Sequence, residues 1–143
     1  MDVKRLLGGI AGGLVGGVLF GAMMHMMGMI GMIAGLVGQE GPAIGWLVHL
    51  FNSALFGLIF AVTLGLVTTS WARGAGFGAI YGVIWWVLGA LLIMPAWMGM
   101  PILMVGEMQL QSLAGHLVYG VALGLVFHMI AQTQSERRVQ MSA

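Results

Sequence analysis

The placement of the charged residues constrains the fold of this sequence more than any other feature. Nine of the 143 residues are charged, and they fall in five places: Asp2 to Arg5, Glu40, Arg73, Glu107, and Glu136 to Arg138. The uncharged stretches between them, 6–39, 41–72, 74–106 and 108–135, are 28 to 34 residues long. A membrane-spanning helix needs roughly 20 mainly apolar residues. The spacing therefore predicts four membrane spans, which form one transmembrane domain over residues 1–143.

The composition supports this prediction. Hydrophobic residues make up 60% of the chain, charged residues 6%, and the mean hydropathy is +1.04. Soluble domains carry about 25% charged residues, so the lipid bilayer is the predicted surrounding. The net charge of +1 gives no basic surface for nucleic acid. The absence of cysteine excludes disulfides and thiolate metal sites.

The basic residues predict the orientation. Four spans place all five of them on one side of the membrane, opposite Glu40 and Glu107. Cytoplasmic loops are enriched in lysine and arginine. We therefore predict a multi-pass protein of a prokaryotic plasma (inner) membrane, with both termini cytoplasmic and residues 133–143 as a cytoplasmic tail.

The two halves of the sequence resemble each other. A shift of 67 residues aligns six positions of the first half with identical residues of the second: Glu40, His49, Leu50, Gly57, Leu58 and Phe60 with Glu107, His116, Leu117, Gly124, Leu125 and Phe127. We interpret this as a tandem duplication, with repeat 1 over about 6–68 and repeat 2 over about 74–132. Both repeats begin and end on the same side, so they are parallel. The predicted fold is an all-α, polytopic membrane protein built from two helix-pair repeats.

The predicted helices cover about 6–28, 42–68, 74–94 and 112–132. A single helix over 6–39 or 74–106 would be about 50 Å long, which exceeds the thickness of a bilayer. The surplus segments, 29–38 and 95–106, are apolar and are interrupted by glycine or proline. We predict a short outer helix or re-entrant turn after the first and third helices. Exposed apolar segments meet lipid or another protein, which favours a homo-oligomer or other membrane subunits as partners.

Glycines recur every four residues on these helices. The first helix carries two rows, Gly8, Gly12, Gly16 and Gly9, Gly13, Gly17, Gly21; the third carries Gly74, Gly78, Gly82; Gly57 and Gly124 lie on the second and fourth. A shift of 66 pairs the row of Gly8 with the row of Gly74. Such rows let helices approach closely in lipid. One interpretation is packing within one bundle; the other is that the second row of the first helix packs against a neighbouring copy.

Three histidines map to the outer part of the spans. His49 lies about 10 Å below the outer surface, His116 takes the same depth in repeat 2, and His25 also reaches the outer layer. Asn52 shares a helix face with His49, and Tyr119 shares one with His116. One interpretation is structural: the neutral rings bond to each other, to Tyr119 or Asn52, or to carbonyls of the outer turns, and in a symmetric pair each ring has a polar partner from the other repeat. The others are that they bind metal, haem or chlorin, or relay protons.

The remaining polar residues have simpler expected roles. His128 is expected near the inner interface, with its ring directed to the headgroups. Glu40 and Glu107 are expected as solvated loop residues, each of which could favour a helix N-terminus.

Methionines cluster beside the three histidines. They occupy two short outer regions: Met23, Met24, Met26, Met27, Met29 and Met32, and Met94, Met98, Met100, Met104 and Met108. Thioether and imidazole ligands together favour copper(I), for which we select Met23, Met27, Met94 and Met98. Alternatively, the methionines fill irregular apolar gaps. No cofactor is firmly implied; copper(I) and haem or chlorin remain open.

Short segments around the histidines resemble a known family. The segments 114–119 (Ala-Gly-His-Leu-Val-Tyr), 46–49 (Trp-Leu-Val-His) and 92–95 (Leu-Ile-Met-Pro), with Gly99 and Pro101, are similar to the YagU-like inner-membrane proteins. These are a largely uncharacterised bacterial group, one member of which is linked to acid stress. The resemblance covers most of the membrane part, although this chain lacks the longer polar insertions of that family. It implies four spans and these histidine positions, and it implies no mechanism.

Several classes of function can be weighed from the sequence. Nucleophile-elbow, P-loop, dinucleotide-binding and His-Glu-x-x-His motifs are absent, so we predict that the protein is not an enzyme. The predicted function is that of a small membrane protein acting through helix packing, as a homo-oligomer or an accessory subunit of a larger complex. The alternatives are a proton or copper channel or transporter with an outer His/Met site, and a haem- or chlorin-binding subunit.

Overall fold

The protein folds into four long helices. The computed structural model describes residues 3–141, with side chains up to Ala131. The helices are α1 (Val3–Met26), α2 (Pro42–Thr63), α3 (Trp71–Trp97) and α4 (Glu107–Met141). Each contains a stretch long and apolar enough to span a membrane, and the described residues form no β-strand. The predicted class, an all-α protein with four membrane spans, is confirmed.

Helix boundaries differ from the prediction at three places. The helix α3 begins at Trp71, because the Ser70 side chain caps it and accepts a hydrogen bond from the Arg73 N–H at 3.2 Å. The predicted start of this helix, at about residue 74, is therefore three residues late. The helix α4 begins at Glu107 rather than near 112, and its backbone remains helical to Met141. Most of the predicted tail therefore continues α4, while residues 142–143 lie outside the described part.

A π-helical stretch interrupts α3. The residues Trp71–Trp85 and Met94–Trp97 are α-helical, and Trp86–Ile93 between them is π-helical. A π-helix is wider than an α-helix and is frequent at functional sites. This stretch forms one wall of the site described below.

The helices pack in the order α2, α1, α4, α3. The helix α1 contacts α2 on one side and α4 on the other, and α3 packs against α4. The helices α2 and α3 lie on the flanks and are joined through side chains. The Tyr81 hydroxyl donates to the Phe56 carbonyl at 2.7 Å, and the Phe56 and Trp85 rings stack at 3.8 Å. A seam therefore runs between α2 and α3.

Both glycine rows of α1 are used within this one chain. A Cβ on Gly13 would lie closer than 3.0 Å to the Ser53 carbonyl oxygen of α2. A Cβ on Gly16 would lie 2.6 Å from the Tyr119 carbonyl oxygen of α4. The interpretation that the second row packs against a neighbouring copy is wrong, because α1 is central in the bundle and needs two glycine faces.

The second helix pair makes the same kind of contact. The glycines Gly74, Gly78 and Gly82 of α3 lie directly against backbone carbonyls of α4, including those of Gly124 and Gly120. In the first pair, the row that packs on α2 is Gly9, Gly13 and Gly17: Gly9 and Gly13 lie against the carbonyls of Gly57 and Ser53, and Gly17 lies against the Ser53 side chain. The α1 row that corresponds in the structure to the α3 row is therefore the row of Gly9. The sequence shift had instead paired the α3 row with the row of Gly8, one residue earlier.

The two outer segments take different forms. The residues Ile30–Val37 form a 3₁₀-helix whose Ile30 carbonyl lies against Gly45 of α2. After Trp97 the chain turns back on α3, where the Leu103 N–H donates to the Leu91 carbonyl at 2.8 Å. Leu103 adopts a positive φ of 57°, a conformation that is rare for a side chain of this size. Both segments lie at the end of the bundle that carries Glu40 and Glu107, which we call the glutamate end.

The opposite end, which we call the arginine end, is closed by aromatic packing. The Phe60, Leu123 and Phe127 side chains are fully buried, and the ring of Phe60 meets those of Tyr81 and Phe127 edge-on, with centroids 5.3 and 5.6 Å apart. The Arg5 guanidinium donates to the Gly65 carbonyl and lies 5.9 Å from the Phe127 ring centroid. These contacts fill the interior of this end with side chains.

Candidate functional site

A cavity of about 230 Å³ lies in the half of the bundle nearer the glutamate end. All four helices and both outer segments contribute to its walls. Its polar lining residues are His49, Asn52, Ser53, Gln109, Ser112, His116 and Tyr119, and its methionines are Met24, Met29, Met32, Met94, Met100 and Met108. The structure therefore brings both duplicated histidines, Asn52 and Tyr119 to one site, as the sequence indicated.

The hydrogen bond of His49 fixes its tautomer. Its Nε2 lies 2.9 Å from the Gly17 carbonyl oxygen, and a carbonyl can only accept. Nε2 therefore carries the hydrogen and donates it, which leaves Nδ1 of the neutral ring with a free lone pair. Close approach of α2 to α1 at Gly17 makes this contact possible.

His116 is held in the opposite tautomer. Its Nδ1 lies 2.8 Å from the carbonyl oxygen of Ser112, one turn earlier on α4, and therefore donates to it. The Ser112 hydroxyl lies 3.3 Å from the same nitrogen. In this ring Nε2 keeps the lone pair. Each histidine thus offers one basic nitrogen, although the two nitrogens are different atoms of the ring.

Phe20 stands between the two histidines. Its ring centroid lies 5.3 Å from that of His49 and 4.7 Å from that of His116. Gly115 makes room for it, since a Cβ there would lie closer than 3.0 Å to the ring. The expectation that each histidine has a polar partner from the other repeat is therefore wrong. Both partners, Gly17 and Ser112, belong to the same repeat as the histidine they bind.

The floor and edge of the cavity carry further polar groups. The Tyr119 hydroxyl donates to the Ser53 carbonyl at 2.8 Å, and the Ser53 hydroxyl donates to the His49 carbonyl at 2.7 Å. These bonds tie α4 to α2 beneath the cavity. The Asn52 amide is half-buried and makes no hydrogen bond within the described part of the chain.

Three candidate residues lie outside the cavity. His25 is exposed, and its Nδ1 accepts a hydrogen bond of 3.4 Å from the Trp46 indole N–H. Glu40 and Glu107 are also exposed. The N-cap of α2 is Gly41, without a side-chain hydrogen bond, whereas Glu107 opens α4, where its charge favours the helix N-terminus.

Three of the four methionines selected from the sequence lie outside the cavity. Only Met94 of the four lines the cavity. Met23 lies elsewhere on α1, Met27 follows the end of the helix, and Met98 contacts Gly35 where the two outer segments meet. The sequence reasoning missed Met24, which lies one helical turn after Phe20. That spacing could have identified it, because residues four apart share a helix face.

His128 does not point to the headgroups. Its side chain is 1% exposed and packs edge-on against Trp71, with ring centroids 4.9 Å apart. Neither ring nitrogen has a hydrogen-bond partner within the described residues. The expectation for His128 is therefore wrong, because α3 covers this face of α4.

The ligand set of the cavity is soft and uncharged. Among the described residues, no three histidine, aspartate or glutamate side chains come together as a metal site. Imidazole and thioether groups favour copper(I) over calcium or magnesium. The cavity volume of about 230 Å³ is too small for a haem or chlorin macrocycle, because even drug-sized ligands occupy pockets of about 300–1,000 Å³.

Comparisons with protein families, curated proteins and solved structures give no match to this chain.

Proposed function

We propose that this is a non-enzymatic integral membrane protein that binds copper(I) in the cavity at its glutamate end. The observation that carries the proposal is that two neutral histidines and six methionines line the same cavity. In each histidine one ring nitrogen donates to a carbonyl, so the other nitrogen keeps its lone pair. Neutral histidine nitrogen and thioether sulfur together form a soft ligand set. A single histidine, His116, with methionines around it suffices for an ion, so Phe20 does not prevent binding.

The charge of the cavity favours a monovalent ion. No carboxylate lines it. A divalent cation transferred from water into such a site would lose a larger hydration energy, without an opposite charge to offset that loss. Copper(I) carries the smallest charge of the common biological copper and zinc ions, and it suits these ligands best.

The closed arginine end supports capture of the ion rather than conduction. The layer of Phe60, Leu123 and Phe127 is fully buried below the cavity. In this conformation the buried layer separates the cavity from the arginine end. A channel or transporter would require a second conformation in which this layer separates.

Titration of the purified protein with copper(I) under anaerobic conditions, against a chromogenic copper(I) chelator, tests the proposal. We expect the protein to withdraw copper from the chelator and to bind zinc(II) far more weakly. Failure to compete with the chelator, or an equal affinity for zinc(II), would contradict copper binding at this site.

A second candidate function is that of a homo-oligomer or an accessory subunit of a membrane complex. The observation that favours it is the uncharged apolar surface of the second outer segment: Ile102, Leu103, Met104 and Val105 are 49–62% exposed. The glycine rows give no support, because α1 uses them within the chain. Native mass spectrometry from mild detergent that shows only the single chain would contradict this candidate.

We further propose that the arginine end faces the cytoplasm of a prokaryotic cell, in agreement with the positive-inside rule. Cysteines placed at Gln39 and Gln109 should then react with a membrane-impermeant thiol reagent added to intact cells. A cysteine at Ser135 should react only after the cells are opened. The native chain has no cysteine, so labelling reports the introduced residue alone. The reverse pattern would show the opposite orientation.

A further inference from the structure

The cavity has a side that faces the lipid. Asn52 and Phe56 line it from α2, and Trp85, Gly89, Ala90 and Ile93 line it from the facing flank, α3. Below, the Phe56–Trp85 stack and the Tyr81 hydrogen bond close the seam between these helices. Above that stack, the π-helical stretch presents the small residues Gly89 and Ala90, and a Cβ on Gly89 would have no neighbouring atom within 4 Å.

This side opens at the depth of hydrocarbon. Asn52 lies ten residues after the start of α2 at Pro42, which places it about 15 Å along the helix. The neighbouring surface of α3 is apolar and exposed, with Leu88 at 40% and Ile93 at 55%. In a membrane span such a surface contacts lipid. A molecule that reaches the cavity through the seam therefore comes from the hydrocarbon and is uncharged.

The unpaired amide of Asn52 specifies what such a molecule must carry. The amide is half-buried, and a ligand that covers it without bonding to it would remove its remaining contacts with solvent at a cost in free energy; a ligand that bonds to it avoids that cost. The amide NH₂ donates, so the complementary group is a carbonyl oxygen. The stacked Phe56 and Trp85 rings offer an aromatic wall for a planar molecule.

The volume limits the molecule to a single ring. An apolar cavity of about 150 Å³ accepts benzene, and this one measures about 230 Å³. We propose that the cavity admits, through the seam between α2 and α3, an uncharged lipid-soluble ring compound whose carbonyl oxygen accepts a hydrogen bond from Asn52. A benzoquinone ring has this size and chemistry. The inference is independent of copper binding, because neither Asn52 nor Gly89 supplies a soft ligand.

Binding of tetramethylbenzoquinone to the metal-free protein, measured as saturable quenching of tryptophan fluorescence, tests the proposal. Trp85 lies beside the seam, where it stacks on Phe56, and quinones quench indoles on contact. We expect saturable quenching in the native protein, loss of affinity in Asn52→Leu, and loss of the saturable component in Gly89→Leu. The matched ligand, tetramethylbenzene, has the same ring without the oxygens and should compete only weakly.

The chain offers a matched control variant. Gly76 also lies on α3 with no atom within 4 Å of a Cβ, and it lies away from the cavity. Gly76→Leu should bind as the native protein does. If Gly89→Leu does not fold, as judged by thermal unfolding, Ala90→Leu blocks the same opening. Quenching that does not saturate, that is equal in all variants, or that tetramethylbenzene displaces as strongly as the quinone does, would overturn the proposal.

Discussion

Replacing Gly78 with leucine should strongly destabilise the helix bundle. A Cβ at this position would lie closer than 3.0 Å to the Gly120 carbonyl, and the Val121 Cα lies 3.3 Å away. These atoms are backbone and cannot rotate aside, so α3 and α4 must separate. Overpacking typically costs about 1–3 kcal/mol and occasionally more, and a backbone clash lies at the upper end of that range.

The control for this experiment is Gly76→Leu, two residues away on the same helix. Gly76 faces open space, so this variant adds the same side chain and removes the same glycine without a clash. Thermal unfolding in detergent, followed by circular dichroism, measures both variants. If Gly78→Leu unfolds at the same midpoint temperature as Gly76→Leu, the close contact between α3 and α4 is absent in solution.

Replacing His116 with alanine should remove most of the copper(I) affinity while the protein remains folded. The His116 ring bonds only to Ser112 of its own helix, so its loss strands no group on another helix. Mutation of a residue that merely supports a metal ligand costs about 10–100-fold in affinity, and loss of a ligand should cost at least as much. Competition against the copper(I) chelator measures the change.

Two further variants locate the effect. His25→Ala should bind copper as the native protein does, because His25 lies outside the cavity. His49→Ala should also weaken binding, and it should lower the free energy of unfolding by about 1 kcal/mol, because the bond to Gly17 joins α2 to α1. If the copper affinity falls in His25→Ala and not in His116→Ala, the copper site lies on the protein surface and not in the cavity.

The two histidines show how far sequence reasoning reaches into the site. The internal resemblance singled out His49 and His116, and helical spacing placed Asn52 and Tyr119 beside them. The hydrogen-bond partners of the two histidines could not be predicted from the sequence. Whether two rings meet depends on what lies between them, and Phe20 enters that space only because Gly115 leaves room for it.

The methionines show a second limit. Their abundance near the histidines indicated a soft lining, yet only one of the four selected residues, Met94, lines the cavity. The side chain is long and flexible, so the direction in which it points is decided by the fold of the outer segments. Those segments are a 3₁₀-helix of eight residues and an irregular turn, which are too short or too irregular to be predicted from a sequence pattern.

The sequence by itself determined the four spans of this protein. A charged side chain in the hydrocarbon of a bilayer costs free energy. Stretches of about 30 residues without a charge therefore indicate where the chain spans the membrane. Glycines at every fourth position likewise marked the faces where helices touch. Only the tertiary structure decided which face of α1 meets α2 and which meets α4, because adjacent rows differ by a single residue of helix rotation. The π-helical stretch, the seam and the cavity also depend on how the helices meet, and packing between distant residues leaves no local pattern in the sequence.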